Sequence, residues 1–95
     1  MTAEAFLNLM LFDAGELSER EALRLFQRLI DSGDVWHLPG FYGRTAVGLI
    51  EAGLCLYGPE PTTDYYGNRI PSRFELPPDQ PGSLTWFLAQ QEQAT

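Results

Sequence analysis

The chain predicts a small, mainly α domain: a three-helix core, a proline- and glycine-rich arm with the makings of a short β-hairpin, and a short C-terminal helix. Three observations carry that reading. Residues Ser18–Ser32 repeat apolar side chains at three- and four-residue steps between a capping box and a stop glycine. Two further helical stretches flank this one, each with its own start and stop signals. Beyond Cys55 the periodicity lapses, and residues 57–82 hold six of the seven prolines. The chain therefore divides into a core over 1–56, an arm or hairpin over 57–82 and a helix over 83–95, as one domain overall.

The first helix runs from Thr2 to about Phe12. Thr2 can accept from a first-turn N–H, and Glu4 suits the positive end of the helix dipole. Phe6, Leu7, Leu9, Met10, Leu11 and Phe12 occupy nearly its whole circumference. Such a helix is buried on several sides or meets a partner, a second copy included.

The second helix opens on Ser18, with Glu21 completing the S-x-x-E box and Leu17 placed as the hydrophobic staple. Ala22, Leu25, Phe26, Leu29 and Ile30 form one core face, and Gly33 is a natural left-handed stop.

A third helix is expected from Pro39 or Gly40 to Ala52, stopped by Gly53. Tyr42, Ala46, Leu49 and Ile50 line one face; Thr45, Gly48 and Ala52 line a second made of small side chains. Glycine inside a helix costs about 1 kcal/mol relative to alanine. Close approach of a neighbouring backbone at Gly48 is the simplest offset, so this helix should pack against two elements.

In the arm, Gly67-Asn68 lies between "TTDYY" and "RIPSRFEL" and suggests a hairpin with a primed turn, Pro71 confining the second strand to an edge. An irregular arm over the helices fits the same residues. Ser83 then caps "LTWFLAQQEQ", whose Leu84, Phe87 and Leu88 are the expected docking side chains.

Charge narrows the function. The 95 residues carry a formal charge of −7 and a pI near 4.4. Such a chain repels nucleic-acid backbones and anionic membranes and favours basic partners. Its six cations are all arginine. Cys55, the one cysteine, can form no disulfide within the chain and has no metal-ligand spacing around it. The apolar run near the N-terminus is too short to span a bilayer and lacks a basic flank. A soluble protein of the cytoplasm is expected, with no membrane contact.

Residues 18–53 have the outline of a helix-turn-helix, yet the second helix offers only Arg44 and Glu51 at exposed positions, and base readout needs more. His37 stands in the loop with no nucleophile, acid or metal ligand in a recognisable arrangement around it. No catalytic residue, cofactor site or metal site is predicted. Arg20, Arg24 and Arg28 share one stripe of the second helix, either a solvated face or a docking strip. Tyrosine and arginine dominate binding hot spots, which singles out Tyr65, Tyr66 and Arg69 at the hairpin tip as contact residues, with Trp36 and Tyr42 assigned to the core. Arg44 lies in the first turn of its helix, against the dipole. A bridge to a buried carboxylate, Asp31 or Asp34, is the preferred account, and contact with a partner the second.

The run "GELSEREALRLFQRLIDSGDVWHLPGFYGRTAVGLIEAGLC", Gly15–Cys55, resembles a group of short phage and prophage proteins. The resemblance rests on GELS, LFQ-x-LIDSG, a tryptophan, G-x-YGR-x-A and LIEAG. It implies a small phage-encoded accessory protein and carries over no catalytic residue. The expectation that follows is a non-enzymatic protein that binds a host or phage protein and blocks or redirects it, aided by an acidic surface. Two alternatives stay open, a minor structural component of the virion and a helix-turn-helix DNA-binding regulator.

Overall fold

Local signals fold into place along most of the chain. The computed structural model describes residues 1–93 and is mainly helical: α1 (Ala3–Asp13), α2 (Glu19–Ser32), a single 3₁₀ turn (Asp34–His37), α3 (Gly40–Glu51), β1 (Thr62–Thr63), β2 (Arg69–Ile70) and α4 (Leu84–Gln93). Thr2 Oγ1 accepts from Ala5 N at 3.0 Å and starts α1. The α2 capping box is complete: Glu21 N donates to Ser18 Oγ at 3.1 Å, and Ser18 N to Glu21 Oε1 at 2.9 Å. Those bonds to Ser18 hold the Glu21 carboxyl below its ordinary pKa. Gly33 ends α2 at φ +83°, a left-handed value that a side chain would strain.

The core sits where α2, the 3₁₀ turn and α3 meet. Phe26, Leu29, Ile30, Val35, Ala46 and Ile50 are all hidden from solvent, with Leu9 of α1, Trp36 and Cys55 closing the sides. Phe12 packs edge-on against Phe26, ring centroids 5.0 Å apart. Removing a side chain such as Phe26 from water contributes about 2 kcal/mol or more. Asp34–His37 was expected as loop; it winds into a 3₁₀ turn because Val35 and Trp36 are consecutive core residues and a tight turn lets both reach inward.

The arm is ordered by α2. Gln27 donates from Nε2 to Leu56 O at 3.1 Å and accepts from Leu56 N at 2.8 Å. Arg73 donates to Tyr57 O at 2.7 Å and pairs with Asp31. A Cβ on Gly58 would stand 3.0 Å from Ile30 O, so the close backbone approach expected at Gly48 occurs here instead. Around Gly48 there is open space, and the face it shares with Ala52 is exposed.

The hairpin forms, antiparallel with Thr62 opposite Ile70 and Thr63 opposite Arg69. Its turn differs from the primed pair expected at Gly67-Asn68. Asp64 N donates to Asn68 O at 2.9 Å and Gly67 N to Asp64 O at 3.0 Å, and only Gly67 has positive φ. That pattern is a three-residue loop, Tyr65-Tyr66-Gly67, with glycine at the left-handed position. Asp64 drives it by accepting from Tyr66 N and Asn68 N, each at 2.9 Å.

Ser83 starts α4, accepting from Trp86 N at 3.1 Å. Leu84 and Leu88, expected to dock, face outward; Trp86 and Phe87 are half-buried, and Gln91 Nε2 donates to Gly53 O at 3.2 Å. Among the described residues no helix is long and apolar enough to cross a membrane.

Candidate functional site

One face of α3 lies mostly outside the core, with Val47 at the boundary. Gly40, Arg44, Val47, Gly48 and Glu51 recur at three- and four-residue steps and therefore share a face. They floor a groove of about 760 Å³. The 3₁₀ turn and Leu38-Pro39 form one wall, and the hairpin, with Asp64, Tyr65, Tyr66 and Ile70, forms the other. The volume falls in the range of ligand and anchor pockets, and the lining is mainly apolar with a few polar groups at its edges.

The hairpin tip is held over the groove by the backbone. Tyr65 N donates to Trp36 O at 3.1 Å. Trp36 is itself packed on Tyr57, ring centroids 6.3 Å apart at an interplanar angle of 29°. This leaves the two tyrosine rings in solvent, 74 % and 84 % exposed, edge-to-face with each other at 5.3 Å. Large aromatic rings with that exposure on a short, bonded loop cost little further ordering on contact, which is what interface anchors require.

The charges of the groove fall into two kinds. Burial alone would raise the Asp64 carboxyl, but the donors of Asn68 and Tyr66 outweigh it and hold the group below its ordinary pKa. Asp64 is thus committed to its own loop, with the His37 imidazole nearby. Arg44 and Glu51 have no ion-pair partner among the described residues. The bridge expected from Arg44 to Asp31 or Asp34 does not form. Asp31 is taken by Arg73 and Gln27, and Asp34 lies 3.5 Å from the N-terminal amine. Arg44 instead folds back over Gly40, where a Cβ would meet its guanidinium at 2.8 Å.

The remaining predicted contact residues lie outside this groove. Arg20 and Arg24 are exposed on α2, and Arg28 reaches Glu4 of α1 at 3.3 Å. Arg69 makes two bonds to the Glu75 carboxylate, 2.8 and 3.1 Å. Ser72 N and Arg69 together hold that carboxyl below its ordinary pKa. The structure therefore brings Tyr65 and Tyr66 to the groove, and with them Trp36, Arg44, Glu51 and Ile70, which sequence reasoning did not group. A signal existed: Gly40, Arg44, Gly48 and Glu51 share helical spacing while being poor core residues.

His37 lines the groove near Asp64, while the thiol is buried. Cys55 is 1 % exposed, its Sγ 3.9 Å from Leu23 O, and burial pushes its pKa up to about 11. A thiol held protonated is a poor nucleophile. Tyr42 is half-buried and donates its hydroxyl to the Asp13 carboxylate at 2.6 Å, a bond that raises its pKa. No group of three or more potential metal ligands occurs among the described residues.

The chain matches the family described as Domain of unknown function (DUF7417) over residues 2–67. That span takes in α1, α2, the 3₁₀ turn, α3 and the hairpin tip through Gly67, and so reaches beyond the Gly15–Cys55 run at both ends. No curated protein and no solved structure matches the chain.

Proposed function

The chain belongs to the DUF7417 family, and from that premise we propose a non-enzymatic accessory protein that binds a partner protein and blocks or redirects it. The contact site is the α3–hairpin groove. One observation carries this: Tyr65 and Tyr66, each at least 74 % exposed, stand over an apolar groove floored by a helix face that lies mostly outside the core. The resemblance of Gly15–Cys55 to phage and prophage proteins makes the partner a host or phage protein. The net charge of −7 adds long-range attraction to a basic partner. Capture from host lysate on the immobilised full chain tests the reading. A protein retained by wild type and lost from the Tyr65→Ser/Tyr66→Ser chain is the expected result. Equal retention by both chains, or none at micromolar bait, would overturn it.

A second reading, a minor structural component of the virion, is favoured by α1. Its outer face exposes Phe6, Leu7 and Met10 by 57 %, 59 % and 55 %, an apolar strip suited to self-association or to cover by a neighbouring subunit. Mass spectrometry of purified particles separates the two, since an accessory protein should be absent and a structural one present in many copies. The DNA-binding reading has least support. Arg44 is the single cation on α3, and a phosphate backbone asks for several.

A further inference from the structure

We propose that the groove takes a peptide segment of the partner whose apolar side chains are bracketed by a carboxylate and a cation about 10 Å apart. The inference rests on the binding reading above and names the chemistry that reading leaves open. Arg44 and Glu51 are seven residues apart on one face of α3, so they mark the two ends of the groove floor at a spacing of about 10 Å. Neither has an ion-pair partner among the described residues, whereas the third charge, Asp64, is saturated by its own loop. Between the two ends the floor is Val47 and the bare backbone of Gly48, with Tyr65 and Tyr66 alongside. The complement of this surface is an apolar stretch with an acid at the Arg44 end and a base at the Glu51 end.

A second copy of the chain fits poorly. Its largest exposed apolar strip lies on α1, whose only charges are Glu4 and Asp13. Both are acidic, and they are already engaged by Arg28 and Tyr42. Nothing on that helix answers Glu51. With that strip set aside, the groove is assigned to a segment of a different protein.

Selection of a random dodecapeptide library on the immobilised full chain tests this. Enriched peptides should carry an acidic and a basic residue flanking aromatic or aliphatic ones, about three residues apart if extended and about seven if helical. Selection on the Arg44→Glu chain should replace the acidic member by a second basic one, and selection on Glu51→Arg should do the reverse. Both positions are exposed, and circular dichroism checks that each variant keeps its helices. In solution, the tightest wild-type peptide carrying a fluorescent label should bind Arg44→Glu about two- to fivefold more weakly. Exchanging the peptide's acid for arginine should restore the affinity. No enrichment, enrichment without bracketing charges, or a charge preference unmoved by either substitution overturns the proposal, as does a groove found filled by a second copy. If no peptide is enriched while capture of a partner still depends on Tyr65 and Tyr66, this inference fails and the binding reading stands; loss of both ends both.

Discussion

Helices α2 and α3 are near in length, 14 and 12 residues, and both contribute to the core, yet their outer surfaces differ in kind. On α2 nearly every polar group near the arm has a structural task. Ser18 and Glu21 cap its start, while Gln27 and Asp31 hold the arm against its C-terminal half. On α3 no side chain caps the N-terminus, glycine occupies three places, Gly40, Gly43 and Gly48, and Arg44 and Glu51 make no ion pair among the described residues. A helix that carries groups its own fold does not use is where recognition can be placed without loss of stability. Arg20 and Arg24 of α2 make no ion pair among the described residues either, but neither lines the groove, so the candidate site falls on α3 and the scaffold on α2.

The comparison breaks first if α2 is not the scaffold. Phe26→Ala removes a ring with no solvent exposure and should cost about 3–5 kcal/mol. That is a large share of the total stability of a domain this size, so urea denaturation followed by circular dichroism should find the variant barely folded. A loss below about 1 kcal/mol would mean the core is centred elsewhere.

Alkali comes next, because Cys55 lies against α2. Its folded pKa of about 11 stands above the ordinary 9.0, so between those values the unfolded chain releases a proton that the folded chain keeps. Stability is then fully present below pH 9 and falls as the pH rises toward 11. The raised Tyr57 hydroxyl, half-buried and near Glu51, acts in the same direction. Denaturation midpoints across this window should fall in wild type and fall less in Cys55→Ala. The same burial should leave the thiol unlabelled by iodoacetamide in the folded protein at pH 8, about one unit below its ordinary pKa.

Ser18→Ala should cost about 1 kcal/mol, since it leaves the Glu21 N–H at the start of α2 without its acceptor. Thermal denaturation reads it as a modest fall in midpoint. The smallest effect separates the two helices most sharply. At Gly48 the helical backbone has open space where a Cβ would go, so Gly48→Ala should stabilise the fold by about 0.5–1 kcal/mol. The added methyl projects onto the groove floor and should weaken partner binding. A variant both more stable and a weaker binder would show that this glycine serves recognition; one less stable would show that it serves packing.

Sequence logic was strongest where local chemistry and burial agree. The capping box, the Gly33 stop and the α2 core face all appear as read, as do the Thr2 cap and the Ser83 cap. It was weakest where a residue's partner lies far along the chain. Arg44 looked like one half of a bridge to Asp31, but Arg73, 42 residues from that carboxylate in sequence, occupies it instead. Gly48 looked like a packing contact, and Gly58 proves to be the one pressed on a neighbouring backbone. The tyrosine pair was legible as a contact candidate from its place beside Gly67; the groove under it was not, because it forms only when residues 64–70 fold over residues 35–51.

By itself, then, the sequence determined where helices begin and end and which face of α2 turns inward, since capping and hydrophobic periodicity act within one or two turns of chain. Only the tertiary structure decided which charges are used up and which are left, because ion pairs and arm contacts join residues tens of positions apart. Arg44 and Glu51, beside Tyr65 and Tyr66, belong to that remainder.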